Sequence, residues 1–224
     1  TMAEAVIVIV IIGIIGAIVG VFITGPVLNY REAVLRAEMT DIADLALRRM
    51  ARDLRLALPN SIRVTPDGQA IEFLQTKAGG RYLSLDDEVA APPPSLDFND
   101  ASKLTFTMLG RTPAGKQAIV AGSDYVVVNN LNIDHLDAYR ANAGAGVQRN
   151  IARITAISSV PANPVITMDS NPFAGQEPPM PSPSSRFQVV SGPVTYNCQP
   201  GAGGAGSLSR QSHYDISEAQ QQVA

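Results

Sequence analysis

An apolar run between Ala5 and Ile23 constrains this chain more than any other segment. The run reads AVIVIVIIGIIGAIVGVFI. As a helix at about 1.5 Å per residue it is roughly 28 Å long, close to the hydrocarbon thickness of a bilayer. Its many β-branched residues favour strands in water, but an isolated strand in lipid leaves its backbone amides unpaired. The sequence therefore predicts a transmembrane helix within residues 1–25.

A cleaved signal peptide is the alternative interpretation of this run. The run is longer than the usual apolar core of about 7–15 residues, no basic segment precedes it and no A-x-A site follows it. We therefore expect the segment to be retained. Its orientation stays open, because the nearest basic residues, Arg31 and Arg36, follow the run and a simple positive-inside count would place the rest of the chain in the cytoplasm.

Helical periodicity continues from Tyr30 to Leu58, and Pro59 predicts the end of the helix. Apolar residues recur at steps of three and four along one face. This stalk stripe consists of Leu35, Met39, Ile42, Ala46, Met50, Leu54 and Ala57. Charged residues occupy the other faces, where a solvated surface is the simplest interpretation. Two pairs among them, Glu32–Arg36 and Asp44–Arg48, have the spacing and order that favour ion pairs.

The junction between the two helical segments is Gly25-Pro26. Proline inside a helix removes a backbone hydrogen bond, so we expect a kink or a local interruption at Pro26. The small residue Gly13, with Gly16 and Gly20, lets a neighbouring helix approach closely. Residues 1–58 therefore form a helix suited to bundling with other helices.

Glu4 is an acid placed directly before the apolar run, with no basic neighbour in the sequence. At a membrane surface, lipid headgroups would solvate it. In a helix bundle the carboxylate would lie in a low dielectric, where it needs a cation. The α-amino group of an adjacent helix would supply that charge and would fix the axial stagger between the two helices. We take Thr1, Glu4, Gly13 and Pro26 as the candidate assembly residues.

The pattern of residues 59–224 predicts a β-rich head. The expected fold class is therefore α+β, with the long helix packed on an antiparallel sheet. Asp215 and Ser217 are candidate helix N-caps near the end of the chain, and the proline-rich ranges 91–94 and 161–185 predict loops. Alternation and turn residues predict eight strands: Ser61–Val64, Ala70–Gln75, Arg81–Leu85, Lys103–Leu109, Tyr125–Leu131, Ile151–Ile157, Val165–Met168 and Arg186–Cys198.

Composition and motifs argue against several classes of function. The net charge of −3 does not favour nucleic-acid binding. The glycines at 201–206 fit G-x-G-x-x-G, but no helix pattern follows, and a glycine loop is favoured. The range 97–100 departs from a calcium loop, and the acidic triplet 86–88 favours a solvated turn. His135 and His213 have no metal-ligand spacing. We predict no catalytic, cofactor or metal site.

Cys198 is the single cysteine of the chain and cannot form an intrachain disulfide within this sequence. A buried inert thiol is the usual interpretation of a lone cysteine. The other is that its partner lies in sequence missing from this chain.

The N-terminus Thr1-Met2-Ala3-Glu4 and the run after it resemble the mature N-terminus of type IV pilins and of type II secretion pseudopilins. Glu4 matches the glutamate of that family, whereas the family's N-methylated first Phe is missing here. The stretches RRMARDLRLALPNS (48–61) and RFQVVSGPVTYNC (186–198) are similar to minor pilins of the mannose-sensitive haemagglutinin (MSHA) pilus, which are related to J-type minor pseudopilins.

The resemblance implies an inner-membrane prepilin with a periplasmic head. A prepilin peptidase would remove a basic leader, which would resolve the orientation, and an assembly platform would move the subunit into an extracellular filament. Its partners would be other major and minor pilins, bound through the N-terminal helix. The resemblance also implies further C-terminal strands, a second cysteine able to pair with Cys198, and a role in priming assembly at the filament tip.

Three other functions remain open at this point. The first is a J-type minor pseudopilin of a type II secretion system. The second is a membrane-anchored binding module or adhesin that never enters a filament. The third is a membrane-anchored hydrolase, which would depend on His135 or His213.

Overall fold

The computed structural model describes residues 1–87, 93–133, 136–144 and 147–220. It divides into two compact units, Thr1–Ala51 and Arg52–Ala224. The second unit contains every strand and almost all of the buried side chains. The predicted α+β class is confirmed, since one long helix precedes an antiparallel sheet.

The helix α1 extends from Met2 to Leu54 without a break. The expected local interruption at Pro26 was wrong, because the turns on both sides of the proline remain helical, while the alternative of a kink there remains a prediction. The predicted end at Leu58 was also wrong. The backbone N–H of Leu58 donates to Leu74 O at 2.8 Å, and Thr76 N–H donates to Leu56 O at 2.7 Å. These residues therefore leave the helix because they pair with a strand.

Seven of the eight strands in the described residues overlap strands predicted from the sequence. The eight strands are β1 (Arg63–Val64), β2 (Ala70–Tyr82), β3 (Thr105–Leu109), β4 (Tyr125–Val127), β5 (Ile151–Ile157), β6 (Val165–Met168), β7 (Arg186–Gln199) and β8 (Ser207–Ser212). The predicted strands at 70–75 and 81–85 merge into the single strand β2. β8 was not predicted at all.

The merger of those two strands has a local cause at Gly79-Gly80. A Cβ atom on Gly80 would lie 2.9 Å from Met108 Cε, and one on Gly79 would lie 3.1 Å from Phe187 O. Glycine is required here because β2 passes close to β3 and β7, and not because the chain turns. Register shifts between Leu74 and Ala78 bend the strand on the way.

The sheet closes on itself. Its strand order is β1-β2-β3-β6-β5-β4-β7-β8, and β2 also pairs with β7. Six strands therefore form a ring of antiparallel pairs, β2-β3-β6-β5-β4-β7, and closing a sheet in this way removes its free edges. β1 and β8 lie outside the ring, on β2 and β7 respectively.

Two apolar clusters fill the head. The larger cluster includes Phe106, Ile154, Ile166 and Phe187, each with 1% or less of its surface exposed. The smaller cluster packs Leu58, Leu74, Val127, Tyr139 and Ile216 together. Ile216 belongs to the segment 213–220, where a helix was expected after Asp215 or Ser217. That expectation was wrong, because the segment is not helical and its isoleucine is buried in the core.

We predict that Phe106→Ala lowers the free energy of unfolding by about 3–5 kcal/mol, the usual cost of a large cavity in a core. The Phe106 ring is fully buried and packs edge-on against Phe187, with ring centroids 5.3 Å apart. Urea unfolding of the full chain in detergent, followed by circular dichroism, measures the loss.

Leu85→Ala is the matched control for that substitution. Its side chain is 55% exposed, so the free energy of unfolding should change by less than about 0.5 kcal/mol. Equal effects of the two substitutions would contradict the packing described for the ring of strands.

Candidate functional site

The apolar run forms a continuous surface that the chain does not cover. Every large apolar side chain between Val6 and Ile23 is at least 46% exposed. The helix is long and apolar enough to cross a membrane, and none of its apolar window is buried. An exposed apolar surface of this size requires lipid or other apolar partners.

The Glu4 carboxylate accepts a hydrogen bond from the α-amino group of Thr1, three residues earlier in the same chain. Both groups are largely exposed. The pair shows that an amino group at the start of the helix can reach this carboxylate. Pairing between adjacent helices remains a prediction.

The other two candidate assembly residues lie further along the same helix. Apart from the adjacent residues and the backbone of the helix itself, no atom lies within 4 Å of a Cβ placed on Gly13, so this position is open to a neighbouring helix. Pro26 is exposed within α1. At about 1.5 Å per residue, Gly13 lies roughly 14 Å along the helix from Glu4, and Pro26 lies further still. The four candidate residues therefore define a helix surface and not a compact site.

The stalk stripe is also uncovered along its first half. Leu35, Met39 and Ile42 are 57%, 64% and 62% exposed. Beside them, Glu32 pairs with Arg36 at 3.7 Å and Asp44 pairs with Arg48 at 2.7 Å, as the spacing predicted. These exposed pairs contribute little to stability. The apolar stripe is therefore a second surface able to pack against another helix.

Asp53 in the last turn of α1 binds two groups of the sheet, although the sequence suggested a solvated charge. Its Oδ2 accepts hydrogen bonds from the Tyr196 hydroxyl at 2.7 Å and from Arg210 Nε at 2.8 Å. Burial, together with the Asp53 hydrogen bond, raises the pKa of Tyr196. The trio fixes the last turn of the helix to β7 and β8.

A second charged network holds the C-terminal segment against β1 and β2. Arg63 donates to Glu72 Oε1 at 2.7 Å, to Ser217 O at 2.8 Å and to Glu218 O at 2.6 Å. Its guanidinium also stacks 3.6 Å from the centre of the Tyr139 ring. Because the Glu72 side chain is 1% exposed, the pair neutralises a charge that would be costly to bury alone.

The tyrosines of this network are shielded from water. Burial raises the pKa of Tyr139 far above its ordinary value, and the nearby Glu72 carboxylate adds to the effect. Burial likewise raises the pKa of Tyr214 to about 12. The Tyr139 hydroxyl donates to Ser61 O at 2.8 Å. Both phenols are therefore structural groups, held protonated in the folded head.

Cys198 lies near the end of β7, opposite Leu208 of β8, and its thiol is exposed and free. The exposed position contradicts the interpretation as a buried thiol. It also leaves the sulfur accessible to a partner cysteine, which is the second interpretation and remains a prediction.

Asp87, Asp97 and Asp100 of the acidic motifs accept hydrogen bonds within their own loops, and Glu88 lies outside the described residues. Asp97 Oδ1 accepts hydrogen bonds from the backbone of Asn99 and Asp100, and Asp87 accepts one from Ser84. The Ser102 hydroxyl lowers the pKa of Asp100. Within the described ranges, no group of three or more potential ligands could hold a metal ion. His213 contacts Ser212 at 2.9 Å, and His135 lies outside the described residues.

Comparisons with protein-family models, with curated proteins and with solved structures find no match to this chain. The order of its parts, a long N-terminal apolar helix followed by an antiparallel sheet, is compatible with a pilin-like architecture. The more specific resemblance depends on the sequence stretches quoted above.

The charged anchors of the head were missed because their partners are far apart in the sequence. Arg210 lies 157 residues after Asp53, and Asp124 lies 47 residues after Lys77, to which it is bound at 2.9 Å. One feature of the sequence could have indicated the anchor at Asp53. Asp53 lies in the stretch RRMARDLRL, where a single acid stands among four arginines and next to the apolar stripe.

We predict that Asp53→Ala lowers the free energy of unfolding by about 1.5–3 kcal/mol, because hydrogen bonds to a charged group are lost and Arg210 keeps a half-buried charge. Denaturant unfolding of the full chain measures the effect. Asp41→Ala is the control, since Asp41 is exposed on the same helix. Equal free energies of unfolding for the two variants would show that the contacts of Asp53 with Tyr196 and Arg210 do not stabilise the fold.

Alkaline pH should destabilise the head, because a tyrosine whose folded pKa is raised keeps its proton while the unfolded chain loses it. This contribution is fully present below the unfolded pKa of about 10 and is lost as the pH rises from there to about 12. We predict a lower urea midpoint at about pH 11 than at about pH 9, with a smaller difference in Tyr214→Phe. Tyr30→Phe, at an exposed helix position, should leave the difference unchanged. An identical midpoint at both pH values would refute this prediction.

Proposed function

We propose that this protein is a minor pilin, a structural and assembly subunit of an MSHA-like type IV pilus that resembles the minor pilin MshO. In this proposal it primes or caps filament assembly at the tip. The observation that carries the proposal is the exposed helix: it is 53 residues long, apolar in its first half and has a single acid in its first turn.

A filament subunit needs a helix that is stable in two apolar environments in turn. Before assembly the apolar run lies in the inner membrane, where lipid surrounds its side chains. After assembly the helices of neighbouring subunits replace the lipid. Burial of each large apolar side chain stabilises either state by about 1.5–3 kcal/mol relative to water. The similar apolar character of the two environments makes the transfer possible without an aqueous intermediate.

Glu4 sets the axial alignment between neighbouring helices when the subunit moves from the membrane into the filament. In the membrane it lies at the interface, where water and headgroups solvate it. In the filament core the same carboxylate lacks water, so it must meet the α-amino group of a neighbouring helix. Only one axial offset between the two helices satisfies that contact. The open surface at Gly13 and the exposed stripe at Leu35 and Met39 then provide the packing contacts.

The proposed partners follow from these surfaces. Major and other minor pilins would contact the N-terminal helix, while the prepilin peptidase and the assembly platform would act at the inner membrane. The head would lie in the periplasm and later outside the cell. No catalytic, cofactor or nucleic-acid step is part of the proposal.

We predict that Glu4→Ala and Glu4→Gln both abolish incorporation into filaments. Loss of one member of a buried charge pair costs about 3–5 kcal/mol, which corresponds to at least a hundredfold loss of assembly. The measurement is immunoblotting of sheared filaments from cells that lack the native copy, combined with immunogold labelling to place the protein at tips or along shafts.

Glu32→Gln is the matched control, because Glu32 is exposed and its partner Arg36 lies on the same helix. This variant should enter filaments at the level of the wild type. Glu4→Ala reaching that level would overturn the proposed role of the carboxylate. Detection of the wild type only in the membrane fraction of piliated cells would favour the anchored binding module. If the protein needed a type II secretion system, and not a pilus, to enter a filament, the pseudopilin would be favoured.

A further inference from the structure

A cavity of about 400 Å³ lies in the head where β2 and β3 separate. The pairing between these strands ends where Arg81 is opposite Leu109. The chain then turns at Gly110, whose φ of 111° is a conformation that glycine adopts without strain. The next residue, Arg111, pairs with Ala162 and not with β2. The segment after β3 therefore diverges from β2 and leaves an open space between them.

The backbone of Gly79 in β2 faces this cavity. Leu83 N–H donates to Thr107 O at 2.9 Å, so the backbone groups of Leu83 point towards β3. Groups two residues apart along a strand point the same way, so those of Arg81 and Gly79 also face β3. Arg81 is opposite Leu109, whereas Gly79 lines the cavity and, among the described strands, has no partner on this side. Its N–H is therefore available to a ligand.

The cavity lies between segments that carry only positive charge, although the chain has a net charge of −3. Its lining residues come from the ranges 73–85 and 101–123, which contain lysines and arginines and no acid. Arg111 is the charged residue of the lining and is exposed. Within the described ranges, its guanidinium has no hydrogen bond and no ion pair. Asp124 does not compensate this charge, because it is bound to Lys77 at 2.9 Å. A ligand that neutralises the cavity is therefore an anion.

The other lining residues indicate the kind of anion. Met108, Pro113 and Ala114 line the cavity with apolar groups, and Gln117 adds an amide. Apolar walls with a few polar groups suit an organic molecule better than a free inorganic ion. One guanidinium balances one negative charge, and its planar fork matches the two oxygens of a carboxylate. An organic carboxylate fits both parts of this lining.

We propose that this cavity binds a small organic carboxylate. The Arg111 guanidinium would bind the two carboxylate oxygens, and Gly79 N–H would donate to one of them. The apolar groups of Met108 and Pro113 would contact the carbon skeleton of the ligand. The proposal does not depend on the function proposed above, because it concerns the head alone.

Arg111→Gln tests the proposal with little risk to the fold, because the side chain is exposed and unpaired within the described residues. Arg55→Gln is the matched control, since Arg55 is exposed in the same unit and its loss changes the net charge equally. Ala114→Trp is a second test, because a large ring at this exposed position would fill the cavity. The φ of −132° and ψ of 166° at Ala114 suit any residue. All three variants should keep the thermal unfolding midpoint of the wild type.

The probe is para-fluorobenzoate, titrated into the full chain in an uncharged detergent and followed by fluorine NMR. We expect saturable binding to the wild type and to Arg55→Gln, with a Kd of about 1 mM or lower. Arg111→Gln and Ala114→Trp should bind at least tenfold more weakly, a loss of about 1.4 kcal/mol. The uncharged analogue para-fluorobenzamide should also bind at least tenfold more weakly.

Four results would overturn the proposal. The first is wild-type protein that shows no saturable binding of para-fluorobenzoate. The second is equal binding by Arg111→Gln and Arg55→Gln while both keep the same unfolding midpoint. The third is equal binding of the amide and the acid, which would show that the negative charge is not recognised. The fourth is inorganic phosphate that binds more tightly than para-fluorobenzoate in a competition titration. If Arg111→Gln lowers the unfolding midpoint, unchanged binding by Ala114→Trp overturns the proposal instead.

Discussion

The pairing between β2 and β7 is the constraint on which the rest of the head depends. Both strands are long, and their register extends from Ala70–Asn197 to Arg81–Arg186. β1 and β3 pair with β2, while β4 and β8 pair with β7. The same two strands also supply both apolar clusters, since Phe187 and Val189 belong to one cluster and Leu74 and Val190 to the other. A change that shifted this register by one residue would exchange the faces of both strands and disrupt both clusters.

The two strands outside the ring are held by the same chemistry. Each carries an arginine whose guanidinium binds a carboxylate with little exposure: Arg63 binds Glu72, and Arg210 binds Asp53. Arginine suits this role because it stays charged and can satisfy several acceptors at once. Arg63 thereby fixes the C-terminal segment, and Arg210 fixes the last turn of the helix. The flanks of the sheet are thus the places where segments without a strand partner are attached to the head.

Much of the fold could be predicted from the sequence, because alternation and turn residues are local signals. Ile151–Ile157 and Val165–Met168 were predicted with their observed bounds. β8 was missed because Ser-Leu-Ser-Arg-Gln-Ser contains one apolar residue and follows a glycine-rich loop, so it has no alternation to detect. Two strands were predicted at 70–75 and 81–85 where the structure has one, because the close approach of neighbouring strands at Gly79-Gly80 is a tertiary feature. Asp53 binds Tyr196 and Arg210, and Arg63 binds the backbone of Ser217 and Glu218 in addition to the nearby Glu72. These long-range partners are more than 140 residues away, which a single sequence does not reveal.

The buried apolar residues of this chain lie in the head, whereas those of the N-terminal run are exposed. The head buries its own apolar side chains in two clusters, so the apolar run before Pro26 is not needed to complete either of them. The run itself has no cover, and its stability depends on whichever apolar surroundings it meets. Selection on residues such as Glu4 and Gly13 can therefore act on the contacts of the helix, while selection on Phe106 or Arg63 acts on the head. In the proposed minor pilin, this division would let the helix change its partners while the head keeps its own core.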